Sequence, residues 1–141
     1  MTAVSENAHT TFLVDKNKVL PIGAPAGNRF VLGVQNANRT SLQWVVHAAV
    51  GGASAAISLF VANSDRAENL ADKDPATNPY WSPLEDSAGT PLTFPHQPGA
   101  VIGSCWVPIG PISASALLVV VTVAGALYPE GAFSLLARTT G

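Results

Sequence analysis

Charge is what this chain has least of. Asp, Glu, Lys and Arg make up 11% of its 141 residues, against roughly 25% in an ordinary soluble domain. The net charge of −2 and an isoelectric point near 5.8 leave no basic footprint for a nucleic acid or an anionic membrane. The single cysteine, Cys105, excludes an intrachain disulfide. It lies in an apolar run, where a thiol is expected to be buried and inert. The first ten residues combine no basic segment with an apolar one, so a secretory leader is not expected. Synthesis in a reducing cytoplasm fits both features. Helical periodicity is nearly missing, and no apolar run approaches the roughly 20 residues that cross a bilayer.

What fills the gap is apolar and small neutral residues, with 48% of the chain hydrophobic. A surface this poor in charge is weakly defended against association, so part of it is expected to be covered by other chains. At this length one domain is expected, large enough to bury a core without disulfides or metals. The central stretch is 115–125, Ser-Ala-Leu-Leu-Val-Val-Val-Thr-Val-Ala-Gly. As a strand it places Leu117, Val119, Val121 and Val123 on one face and Leu118, Val120 and Thr122 on the other. Its β-branched run favours a pleated surface over a helix, and both faces must then be covered.

Residues 1–10 are polar and aperiodic and are read as an arm preceding a domain at 11–141. Short strands are expected at 11–14 and 19–22, then a Gly/Pro/Asn loop at 23–28. Alternation resumes at 29–35 through Phe30, Leu32 and Val34. Leu42, Trp44, Val46, Ala48 and Val50 give the longest period-2 series of the first half. Gly51-Gly52 is expected to close a hairpin onto a strand carrying Ile57, Leu59 and Val61. Periodicity stops from 63 to 77, where Asp65, Glu68, Asp72 and Asp74 mark an exposed loop with room for one helical turn at 66–71. An edge-like segment follows at 79–84, a turn at 85–90 and a short strand at 91–94. A strand at 101–107 is expected to be broken by Pro108, and the last strand carries Phe133, Leu135 and Ala137. Many short strands separated by turn residues, without helical crossovers, predict an all-β fold. The expected form is an antiparallel β-sandwich, jelly-roll-like, or a flattened barrel.

No motif for catalysis is present: no nucleophile elbow, P-loop, dinucleotide fingerprint or paired cysteines. His9, His47 and His96 lie far apart in sequence without a second ligand at metal spacing, and His47 reads as a strand-surface residue. Asp72-Lys73-Asp74 offers oxygen ligands but lacks the glycine and distal glutamate of a calcium loop. Adjacent Glu85 and Asp86 point apart, unlike an acid/base pair. No enzyme and no cofactor is therefore expected. Trp44 and Trp106 are expected in the core or on a sheet face. Tyr80 and Trp81, between prolines beside the acidic loop, are expected first to anchor that loop onto the core, and are otherwise the one aromatic pair placed to stack on a ligand or a partner.

Across 57–137 the features come in a fixed order. Ile57-Ser58-Leu59-Phe60-Val61-Ala62-Asn63-Ser64-Asp65 runs from strand into polar turn. Tyr80-Trp81-Ser82-Pro83-Leu84 carries an aromatic W-x-x-L, Glu85-Asp86-Ser87-Ala88-Gly89-Thr90 an acidic turn with Gly-Thr, and 117–123 a late apolar strand. This order resembles small β-sandwich proteins encoded among the capsid and tail genes of tailed bacteriophages. The resemblance covers a little over half the chain, with 66–78 longer than the usual turn. It implies a non-enzymatic virion protein made in the host cytoplasm, a capsid decoration or accessory subunit, with no catalytic residues to carry over. Its partners would be itself, as a homo-oligomer such as a trimer, and major capsid or other virion proteins. In that reading the arm, with Thr2, Val4 and His9, reaches onto a neighbour. The alternative is a carbohydrate-binding β-sandwich with Tyr80 and Trp81 as the platform and calcium at Asp72 or Asp74.

Overall fold

Alternating apolar residues become strands wherever one face can be buried. A computed structural model describes residues 8–141 apart from positions 36 and 38. Its strands are β1 (Ala8–Val14), β2 (Arg29–Gly33), β3 (Arg39–Val46), β4 (Ser54–Ala62), β5 (Ser82–Pro83), β6 (Gly103–Gly110), β7 (Ala116–Ala124) and β8 (Phe133–Thr140), with a 3-10 turn (Ala26–Asn28) before β2 and one turn of α-helix, α1 (Ala67–Leu70), between β4 and β5. They form two antiparallel sheets, ordered β1-β8-β3-β6 and β2-β7-β4-β5. First pairs with last, second with seventh, third with sixth and fourth with fifth. This is the wrapped order of a jelly roll. The sheets stay open at their edges, which sets aside the flattened barrel.

The core lies between the sheets. Leu42, Trp44 and Val46 of β3 and Leu135 of β8 meet Ile57 and Leu59 of β4 and Leu117, Val119 and Val121 of β7. Each such side chain contributes about 1.5–3 kcal/mol on full burial. Trp44 takes Phe94 edge-on, with ring centroids 5.4 Å apart. β7 sits between β2 and β4; its inner face is buried throughout, and its outer face is covered at Ala116, Leu118 and Val120 and open at Thr122 and Ala124. Leu118 and Val120 point away from the main core into a second cluster with Ala62, Ala116 and Trp81.

Several boundaries differ from the sequence reading. Gly51-Gly52 does not close a hairpin, because β3 and β4 belong to different sheets. Their inward stripes face each other across the sandwich instead of pairing side by side. The strand expected at 19–22 reduces to one bridge, Leu20 to Tyr128. Pro21 has no N–H to extend the ladder there. The segment 91–94 likewise makes only the Glu85–Pro91 bridge, between prolines at 91 and 95. Pro108 does not end β6, which continues to Gly110. β6 is an edge strand with a register shift beside Thr40 and Ser41, the two settings that tolerate proline. Finally, β1 begins at Ala8, so His9 and Thr10 are paired with Thr139 and Arg138 and belong to the sheet rather than to an arm. Thr2 and Val4 lie outside the described residues.

Candidate functional surfaces

Residues 63–81 form a folded cover over the outer face of the β2-β7-β4-β5 sheet. Trp81 is its anchor: it is 4% exposed, packed on Leu118 and Val120. Its Nε1–H donates to the Asp72 carbonyl at 2.9 Å. Buried Asn78 donates from Nδ2 to the same carbonyl at 2.7 Å and to that of Asn69 at 2.9 Å. The indole anchors the loop onto the core, as its setting in the sequence favours, and is unavailable as a stacking platform, which corrects the alternative of Trp81 as a ligand-facing residue. Its neighbour Tyr80 is exposed.

The carboxylates of this cover organise their own loop. Asp72 accepts from Thr77 Oγ1 at 2.6 Å and from the Asp74 N–H at 3.0 Å, and Asp74 accepts from the Ala76 N–H at 3.0 Å. Among the described residues no group of three or more His, Cys, Asp or Glu is arranged to hold a metal ion. Asp86 works the same way in its turn, accepting from Ala88 and Thr90. The Thr77 hydroxyl, followed by the Asp74 N–H, holds the Asp72 carboxyl below the usual carboxylate range. A depressed folded-state pKa favours the fold above the unfolded value, and that contribution is lost as pH falls through the folded one. Replacing Thr77 with Val is expected to move the Asp72 titration upward toward the ordinary value. A side-chain carboxyl NMR titration reads it, and an unmoved midpoint would contradict the assigned cause.

The outer face of the β1-β8-β3-β6 sheet carries no such cover among the described residues. Register places Phe12 opposite Leu136, Leu136 opposite Gln43, and Gln43 opposite Trp106. One row thus crosses all four strands, with Phe12 59% and Trp106 61% exposed at its two ends. The next row is Thr10, Arg138, Ser41 and Pro108. Arg39 is diagonal to Arg138 on the same face, two residues from Ser41. A groove of about 410 Å³ runs between Arg39, Trp106, Pro108, Arg138 and Thr140. Trp106 and Arg138 separate it from a smaller one of about 290 Å³ at Thr10, Gln43 and Leu136. Neither arginine has a carboxylate partner among the described residues, where the ion pair found is Arg29–Asp74 at 3.8 Å.

A third surface is the loop end. The β1–β2, β3–β4, β5–β6 and β7–β8 connections meet there and are tied by main-chain hydrogen bonds. Leu20 N–H donates to Tyr128, His47 N–H to Ala132, Val50 N–H to Ala100 and Gly131 N–H to Lys16. Tyr128, buried, adds a hydroxyl donated to the Gly99 carbonyl at 2.9 Å. On this layer stand five exposed large apolar side chains: Val19, Ile22, Val101, Ile102 and Leu127, with Val101 78% exposed.

The remaining sequence candidates do not converge. His9 is exposed on edge strand β1 and His96 is exposed in the β5–β6 connection. His47 follows β3 and shares a hydrogen bond between Nε2 and Ser134 Oγ. Cys105 is half-buried on the inner side of β6 rather than fully buried. Phe12, Arg39, Leu136 and Arg138 were not singled out from the sequence. The available signal was parity: Trp106 alternates with Cys105 and Val107, which places it on the outer side with Ser104 and Pro108.

Fold and surfaces define an eight-stranded jelly roll with large apolar side chains exposed, among the described residues, on one sheet face and at the loop end. Compared with protein-family models, with curated proteins and with solved structures, the chain matches none.

Proposed function

We propose that the chain is a non-enzymatic virion subunit of a tailed bacteriophage, a capsid decoration or accessory protein that binds and stabilises neighbouring subunits. The observation that carries this reading is the loop end, where five large apolar side chains stand exposed on a hydrogen-bonded, and therefore pre-ordered, layer. Five such side chains at one end of the sandwich exceed the scattered single residues of an ordinary surface, and a rigid presenter loses little conformational freedom on binding. The scarcity of charge supports it, while the jelly roll is a fold class that viral capsid and lectin domains share. The sugar-binding alternative loses half of its expected platform, because Trp81 is buried and Tyr80 alone is exposed.

Particle incorporation tests the reading. Wild-type chain is expected by mass spectrometry in particles purified from the producing host. The variant Val101→Asp/Ile102→Asp is expected to fold normally, since both side chains are exposed, yet to be missing from those particles or depleted at least tenfold. Purified particles devoid of the wild-type chain would overturn the virion assignment.

A further inference from the structure

We infer that the outer face of the β1-β8-β3-β6 sheet docks a second copy of this chain, which presents the acidic cover of its opposite sheet. The inference rests on the assembly reading above and specifies a contact within it.

The two surfaces have opposite charge. The four strands β1, β8, β3 and β6 contain no Asp or Glu, while Arg39 and Arg138 stand on their outer face. On the other side of the sandwich, residues 65–74 hold four carboxylates, Asp65, Glu68, Asp72 and Asp74, against two cations, Arg66 and Lys73, a net charge of −2. The adjoining turn adds Glu85 and Asp86. Arg29, the cation beneath this cover, pairs with Asp74, which leaves Asp65, Glu68 and Asp72 as the carboxylates of 65–74 outside an ion pair among the described residues. An arginine fork suits a carboxylate better than any other side-chain partner, and the chain's own acidic cover is the densest source of carboxylates in its sequence.

Shape points the same way. The row from Phe12 to Trp106 spans every strand of the sheet, a breadth of about 14 Å at about 4.8 Å per strand. That is too wide for a small anion to cover. Four strands of about eight residues present on the order of 500 Å² in projection, of the same order as the roughly 800 Å² of accessible surface that each partner buries in a standard interface. The exposed rings at the two ends of the row would be the apolar anchors and the arginines the selectors of register.

The geometry also sets the type of assembly. The two patches lie on opposite sides of one sandwich, so the contact joins unlike surfaces and leaves one of each unsatisfied at the ends. Such heterologous contacts extend into a ring or an open file. Patches that point nearly apart disfavour closure at two or three copies.

Light scattering on the purified full-length protein provides the test. Wild type is expected to grow in mass with concentration beyond the 14.5 kDa chain and to shrink as salt is raised. Arg39→Glu/Arg138→Glu and, separately, Asp65→Lys/Glu68→Lys are each expected to weaken association at least tenfold while retaining wild-type circular dichroism. An equimolar mixture of the two variants is expected to recover the wild-type mass, because each reversed surface then meets its complement. Unchanged mass in the arginine variant, or no recovery on mixing, overturns the inference. So does a wild type that stays monomeric, including one that instead binds polygalacturonate through the same arginines. Particle incorporation is scored independently of self-association, so either proposal can fail alone.

Discussion

Gly125→Ala is expected to cost the fold about 3 kcal/mol or more, seen as a melting temperature lower by about 10 °C. Gly125 closes the end of β7 with φ of +81°, a region where a side chain strains the backbone. Sterics add to this. A methyl group on Gly125 would overlap the carbonyl oxygen of Gly52 and lie 3.1 Å from its carbonyl carbon. Both neighbours are main chain and cannot rotate away. Gly51→Ala is the control, since a methyl group there meets nothing within 4 Å, and its effect is expected to stay within about 0.5 kcal/mol. Equal melting temperatures for the two variants would mean that the β3–β4 and β7–β8 connections do not approach as described.

Trp81→Ala is expected to remove about 3–5 kcal/mol, the usual range for truncating a buried aromatic side chain. The indole fills the second cluster beneath the loop cover and also satisfies the Asp72 carbonyl. Its loss should therefore detach residues 63–81 before it unfolds the sandwich. Hydrogen exchange resolves the two events: amides of the cover should lose protection first, while those of β3 and β8 keep theirs. Trp81→Phe keeps most of the apolar area but not the donor and is expected to cost about 1 kcal/mol from the missing hydrogen bond, with a further share from the smaller ring. Trp106→Ala, at an exposed position, should change stability by no more than about 0.5 kcal/mol. If Trp81 and Trp106 behave alike, the assignment of one to the interior and the other to the surface is wrong.

These two tryptophans show how far the sequence could be read. The β class followed from period-2 runs, and the double covering of β7 followed from apolar residues at both parities of 117–121. The helical turn expected at 66–71 is α1. Alternation also placed Leu42, Trp44 and Val46 on one buried face. Pairing partners were less accessible. Gly51-Gly52 signals a reversal of direction, but whether the next strand lies beside β3 or opposite it is decided by which apolar stripe is complementary across the core. Trp81 has no periodic context; its setting beside the loop favours an anchoring role, but the residues it anchors to, Leu118 and Val120, lie more than thirty residues later. The outer-face constellation of Phe12, Arg39, Trp106 and Arg138 is assembled from four strands, and only the sheet order brings it together.

The sheet order has a consequence for how the molecule comes to exist. β8 lies between β1 and β3, and β7 lies between β2 and β4. The strands synthesised last are the central planks of both sheets. The first half of the chain leaves the ribosome with its apolar stripes formed but with no neighbour for β1 or β2. Loop closure over such separations is slow. Neither sheet can be completed until β7 and β8 have emerged, and until then the apolar stripes of the N-terminal half are open to association with other copies.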